Sequence, residues 1–273
     1  DCQTAIPLVV GVNPPLPTPG SPGPAPFTNR GANQTVGPFA STGCNDPTKV
    51  YLSDVFFTFV AECDGPVSIT TTPPPGSGLS GFDAAIFVHT PHPVCAGSPV
   101  VACNDDYVGS VYGSSLVQFS TVAGATYLIR VASALPSIYG NPSPTNGVLD
   151  GAPFRLTVTR GFCLMMDGPA GPGSLRIRNM GGPAGAPYIS IFTLYGGNYP
   201  QGAFFGINPT FTEIILQVTS GNAPFVGVLD ASGASTFGTV AGLPPLAVYG
   251  VSLALNALGQ IELISAPESF QIL

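Results

Sequence analysis

From residue 49 onward, apolar positions come in short runs rich in β-branched and aromatic residues, each cut off by Gly, Pro, Asn or Asp. Runs of this length, bounded by turn formers, read as β-strands. The first half predicts strands over 50–62 (VYLSDVFFTFVAE), 67–72, 84–89, 115–120, 126–132 and 154–159. After Cys163 a second set follows over 174–179, 188–194, 213–218, 225–228, 247–254, 260–265 and 269–273. No segment repeats its apolar positions with the 3.6-residue period of an amphipathic helix. Upstream, residues 4–12 are apolar enough for an edge strand. Residues 13–26 (NPPLPTPGSPGPAP) are too proline-dense for a core strand and read as an extended, polyproline-like spacer.

Many short strands with proline-stiffened connections predict an all-β fold of antiparallel sandwiches, jelly-roll or immunoglobulin-like. At about 150 residues per domain, 273 residues suggest two of them. The expected division is an N-terminal strand and proline-rich arm over 1–27, a sandwich over 28–162, and a second sandwich over 163–273, where the cysteines stop.

Charge narrows the function classes. Only 8% of residues are charged, the formal net charge is −7, and the seven basic residues include a single lysine, Lys49. Such a chain cannot neutralise a run of phosphates, which excludes a nucleic-acid partner. With 44% hydrophobic residues it is far too apolar to be disordered, despite 35 glycines and 31 prolines. Gly, Pro, Ser or Thr interrupts every apolar stretch well short of the roughly 20 residues of a membrane helix. The opening Asp1-Cys2 has the look of a chain from which a signal peptide has been removed. Six cysteines without paired C-x-x-C knuckles then predict three disulfides in a secreted, extracellular or cell-surface protein. Cys95 with Cys103 suits local loop closure, Cys2 with Cys44 would pin the N-terminal extension, and Cys63 with Cys163 follows by elimination among fifteen pairings. Asn33-Gln34-Thr35 is a glycosylation sequon at Asn33.

Four blocks of the first half occur in a telling order: Asp54-Val55-Phe56-Phe57-Thr58-Phe59, Gly81-Phe82-Asp83-Ala84-Ala85-Ile86-Phe87-Val88, Val101-Ala102-Cys103-Asn104-Asp105-Asp106, and Gly124-Ala125-Thr126-Tyr127-Leu128-Ile129-Arg130-Val131. With Asp1-Cys2, Phe27-Thr28-Asn29 and Phe154-Arg155-Leu156-Thr157-Val158, residues 1–162 resemble the bacterial pre-peptidase C-terminal domain family, in the form found in secreted proteins of planctomycete-like bacteria. The resemblance implies a jelly-roll-like sandwich that accompanies secreted enzymes and surface proteins and is not itself catalytic. The proline-rich insertion after Asn13 and Tyr107 after the Asn-Asp-Asp depart from the family pattern. Residues 163–273, through Leu229-Asp230-Ala231-Ser232-Gly233 and Leu243-Pro244-Pro245-Leu246, are loosely similar to C-terminal β-sandwich domains of the same exported proteins.

Candidate chemistry is sparse. The only histidines, His89 and His92, share one loop (HTPHP) read as a solvated tip stiffened by Pro91 and Pro93, and no G-x-S-x-G elbow is present. Asn104-Asp105-Asp106, joined by Asp83 or Asp54, offers the oxygen ligands that calcium needs. The metal candidates are Asp83, Asn104, Asp105 and Asp106, against a favoured reading in which these Asx side chains cap turns. Arg130, inside the apolar strand TYLIRVA, is expected to pair with one of these acids. Tyr107, Tyr112, Tyr195 and Tyr199 could stack on a glycan, but the chain has no tryptophan platform.

These readings favour a non-catalytic exported structural protein, a self-assembling subunit of an extracellular filament, sheath or surface layer. Its expected joints are sheet edges and the N-terminal arm, because so little charge leaves wide neutral or apolar faces. The alternative is a calcium-assisted adhesin or carbohydrate-binding module whose partner is a surface polysaccharide. No resident cofactor is expected beyond that calcium.

Overall fold

The computed structural model describes residues 4–13, 25–28, 49–72, 84–89, 99–105, 114–136, 153–195 and 204–273. Among them the chain is all-β, built from antiparallel sheets, with one short helix. It divides into two compact units: Asp1–Glu62 with Pro66–Arg160, and Cys63–Gly65 with Gly161–Leu273.

In the first unit one sheet runs β1-β4-β9-β6-β7, from Ile6–Leu8 (β1), Lys49–Val60 (β4), Thr126–Pro136 (β9), Ala84–His89 (β6) and Val100–Asn104 (β7). The other runs β2-β10-β5-β8, from Gly11–Asn13 (β2), Pro153–Arg160 (β10), Gly65–Thr72 (β5) and Leu116–Thr121 (β8), with Phe27–Thr28 (β3) also on β10. β5 follows the half-buried rule: Val67, Ile69 and Thr71 point inward and their neighbours do not. β6 is buried on both faces, which explains its continuous apolar sequence AAIFVH. Ala84, Ile86 and Val88 join the main core with Phe57, Phe59, Ile129 and Leu156. Ala85 and Phe87 face the other way, against Ala132, Tyr51 and Cys103. Residues 6–13 contribute to both sheets: β1 runs parallel to β4, with Leu8 opposite Phe59, and β2 runs antiparallel to β10, with Val12 opposite Thr157. Leu8 is buried in the core of this unit.

The second unit has a sheet β11-β12-β15, from Cys163–Asp167 (β11), Leu175–Met180 (β12) and Ser235–Val240 (β15). Its other sheet runs β14-β13-β16-β17, from Val226–Val228 (β14), Pro187–Thr193 (β13), Leu246–Leu255 (β16) and Ile261–Ile264 (β17), with Glu268–Ile272 (β18) also on β16. Leu164, Met166, Ile177, Phe192, Val248 and Ile272 form its largest apolar cluster. A buried polar chain runs through the same unit. Asn179 Nδ2 donates to Ser190 Oγ at 3.3 Å and Ser235 Oγ at 3.2 Å, Ser190 and Ser252 hydroxyls lie 2.6 Å apart, and Ser252 N donates to Ser265 Oγ at 2.9 Å. Interior hydroxyls are tolerated because they satisfy one another. Register shifts opposite Leu175/Ile177 and at Ala254/Leu255 kink β15 and β17, and bulges of this kind discourage pairing with a foreign strand.

The expected strand over 213–218 is instead a helix, Phe211–Thr219 (α1). Its apolar run suits a strand by composition. Thr210, however, starts a capping box three residues before Glu213, and that local chemistry sets the helix.

Candidate functional site

Strand β13 pairs along one side with β16 from Tyr188 to Thr193, but on its other side β14 reaches only Pro187 to Ile189. Beyond that, Ser190 N donates to Phe225 O at 2.7 Å. Phe192 is met by a side chain: Gln217 Nε2 donates to its carbonyl at 2.7 Å and Gln217 Oε1 accepts from its N–H at 2.8 Å. α1 therefore covers a stretch of sheet edge that no described strand covers.

The helix is held from its first turn. Thr210 Oγ1 accepts from Glu213 N at 3.1 Å, and the Glu213 carboxylate accepts from Thr210 N at 2.6 Å. Thr193 Oγ1 donates to Glu213 at 3.4 Å, tying the cap to the end of β13. The half-buried positions of α1 are Glu213, Ile214 and Gln217, and Ile214 packs against Ile191, Ile207 and Val251. Besides Thr212 and Thr219, the outward positions are Phe211, Ile215, Leu216 and Val218, with Phe211 78% and Leu216 65% exposed. Ile214 apart, this reverses the usual amphipathic arrangement, in which polar residues face solvent and apolar ones face the sheet. Leu194 and Tyr195, just past β13, and Phe205 are exposed as well. Between residues 204 and 228 the single charged residue is Glu213, and the cap occupies it. Chemically the arrangement presents apolar surface.

Tyr195 apart, the described residues singled out from sequence lie elsewhere. Asn104, the last residue of β7, donates through Nδ2 to Leu116 O at 2.9 Å, and Asp105 accepts from the Tyr51 hydroxyl at 3.3 Å. Asp83, Asp106, Tyr107, Tyr112, Tyr199, His92 and Asn33 lie outside the described residues. Asp54 sits where the register of β4 shifts, 3.0 Å from Arg130 Nη2, with both side chains almost fully buried, and the guanidinium lies over the Phe87 ring at 4.8 Å. Among the described residues no three His, Cys, Asp or Glu side chains group as metal ligands. His89, expected at a solvated tip, is instead the fully buried last residue of β6, where it pairs with Leu128 of β9. Cys63 and Cys163 are joined in a disulfide. Cys103 is also disulfide-bonded, and Cys95, Cys2 and Cys44 lie outside the described residues.

Two electrostatic features stand apart in the second unit. Arg176 forks onto Asp167 at 2.8 and 2.6 Å and Arg178 joins at 2.9 Å, and together they hold the Asp167 carboxyl below its ordinary value. Burial, reinforced by the nearby charge of Asp64, pushes Glu268 up to about 7.

No protein-family model matches the chain, and no curated protein sequence does. Among solved structures, 82% of the chain aligns with 36% of a GH2 beta-galacturonidase from Eisenbergiella tayi, at 11% identity and a TM-score of 0.23. A beta-1,2-glucanase from Parabacteroides distasonis aligns over 80% of this chain and 30% of its own, at 11% identity and a TM-score of 0.22. The chain thus spans about a third of the length of these two proteins, and likenesses this low carry no argument about fold or activity.

Proposed function

We propose that this chain is a non-catalytic exported structural protein, a subunit that associates with copies of itself in an extracellular filament, sheath or surface layer, and that the outer face of α1 is a contact surface. The observation that carries the reading is the inverted helix: Phe211, Ile215, Leu216 and Val218 face solvent while Glu213 and Gln217 face the sheet. A lone exposed leucine needs no explanation, but four exposed apolar side chains on one short helix, with Leu194 and Tyr195 exposed at the end of β13, support a contact surface. The small charged fraction, 8% of residues, supports the same reading because it leaves wide neutral or apolar surface. Within this proposal α1 is preferred to the N-terminal arm as the joint, since residues 6–8 and 11–13 pair within the first unit.

The test is light scattering over a range of concentrations, with electron microscopy, on the full chain and on a Phe211→Ser/Leu216→Ser double variant. Both positions are exposed, so the variant should keep its circular dichroism. The expected result is concentration-dependent assembly of the parent chain that the double variant loses. A monodisperse parent at every concentration overturns the reading, and equal assembly by the variant removes α1 from it.

A further inference from the structure

All three methionines of the chain lie on two paired strands: Met165 and Met166 on β11, Met180 on β12. Met166 is buried in the core of the second unit, and Met180 is buried against the Cys63–Cys163 disulfide. Met165 points to the face opposite Met166, packs against the same disulfide and is only half-buried. Its thioether is already engaged: Arg178 Nη2 donates to Met165 Sδ at 3.0 Å, and the same nitrogen donates to Asp167 Oδ2 at 2.9 Å.

That engagement leaves Arg178 under-used. A thioether is a weak acceptor, and Arg178 Nε is buried with no hydrogen-bond partner among the described residues. A buried donor without an acceptor is costly. An oxygen bonded to Met165 Sδ would sit one bond beyond an atom that Arg178 already touches, and a sulfoxide oxygen is a far stronger acceptor than sulfur.

We propose that Met165 is a built methionine-oxidation site, taking a hydroperoxide such as hydrogen peroxide as oxidant, with Arg178 as receptor for the product oxygen. The sulfur lone pair that faces Arg178 gives up its hydrogen bond and forms the new S–O bond as the O–O bond breaks. The proton on the transferred oxygen passes to the departing hydroxide, which leaves as water. Sulfur loses two electrons and the peroxide gains them. Arg178 stabilises negative charge on the departing oxygen and then holds the sulfoxide. Methionine oxidation usually disrupts packing because a polar group enters apolar surroundings. At Met165 the polar group meets a guanidinium.

The test is graded hydrogen peroxide treatment of the intact full chain, followed by digestion and mass spectrometry of the three methionines. The expected result is sulfoxide at Met165 well before Met166 or Met180. Arg178→Ala should slow Met165 oxidation about tenfold, the loss of one hydrogen bond from a charged donor. A second readout compares thermal unfolding of the parent before and after selective oxidation: the midpoint holds or rises in the parent and falls in Arg178→Ala. Oxidation of Met166 or Met180 at the same rate overturns the site. An unchanged Met165 rate in a folded Arg178→Ala, or a lowered midpoint in the oxidised parent, overturns the role of Arg178. Should Arg178→Ala fail to fold, the parent's own rates and unfolding midpoints still decide the proposal.

Discussion

Gln217 presents its side-chain amide to the backbone of Phe192 as a neighbouring strand would, donating to the carbonyl at 2.7 Å and accepting from the N–H at 2.8 Å. Each such bond contributes roughly 0.5–1.5 kcal/mol net. Gln217→Ala should therefore loosen α1 and speed hydrogen exchange at the Phe192 amide, leaving Ser190, held by Phe225, protected. Gln217→Glu keeps the acceptor but loses the donor, and should give an intermediate effect. Exchange at Phe192 that stays slow in Gln217→Ala would show that the helix is held by other contacts.

Arg130 and Asp54 form an ion pair at 3.0 Å in the interior of the first unit. Removing one member takes the ion-pair partner from a buried charge, at a cost of up to about 3–5 kcal/mol. Arg130→Met should show this loss in urea unfolding, enlarged by the contact over the Phe87 ring. The double variant Asp54→Leu/Arg130→Met should be less destabilised than Arg130→Met alone. Additive losses would mean the two residues are not coupled.

Glu268 carries a pH signature. Its folded-state value of about 7 lies above the ordinary 4.5, so between those values the folded protein keeps a proton that the unfolded chain has released. Its contribution to stability is fully present below about 4.5, falls as pH rises toward 7, and is gone above. Glu268→Gln should flatten that decline and unfold at higher temperature than the parent at pH 8. Asp167 has the opposite sign: its value is lowered by Arg176 and Arg178, so its contribution is present above the ordinary 3.8 and is lost as pH falls through the lowered folded value. Thermal unfolding followed from pH 3 to 8 checks both.

Gly233 has φ +73, and a Cβ there would run into the carbonyl oxygen of Gly182. The turn is otherwise well fixed, since Asp230 Oδ1 accepts from the amides of Ser232 and Ala234 at 2.8 and 3.0 Å. Gly233→Ala combines a left-handed backbone with a backbone clash, and should cost at least about 1–3 kcal/mol. Calorimetry would show it as a lowered unfolding temperature, whereas Gly238→Ala, with open space around it, should change little.

Most strands were legible because their apolar residues are buried where the pattern says, as in β5 and β6. α1 was not, for the reason that makes it interesting. A helix announces itself by a buried stripe at helical spacing, and α1 buries none of its residues; the cue that remained was Thr210 with Glu213. β15 was missed because STFGTV is largely exposed, with a glycine inside it and a register shift where it pairs with β12. The Arg130 partner could be narrowed to an acid by the cost of burying a charge, and the shift in β4 register beside Asp54 supplied which one. Nothing in the spacing of Met165, Asp167, Arg176 and Arg178 marks a cluster until β11 and β12 are paired, with Met165 opposite Arg178 and Asp167 opposite Arg176.

The pairing of β2 with β10 sets Gly11 opposite Val158 and Asn13 opposite Leu156. Contacts so distant along the chain give the first unit a high contact order, and loop-closure entropy makes such pairings slow to form. The earliest residues of this sandwich find their place only once its last strand is available. Until β1 and β2 dock, β4 and β10 offer open edges, and the same segment from another copy meets them with the same register. A concentrated pool of newly made chains is therefore open to exchange of this segment during folding, a hazard that dilute refolding or a holding chaperone would suppress.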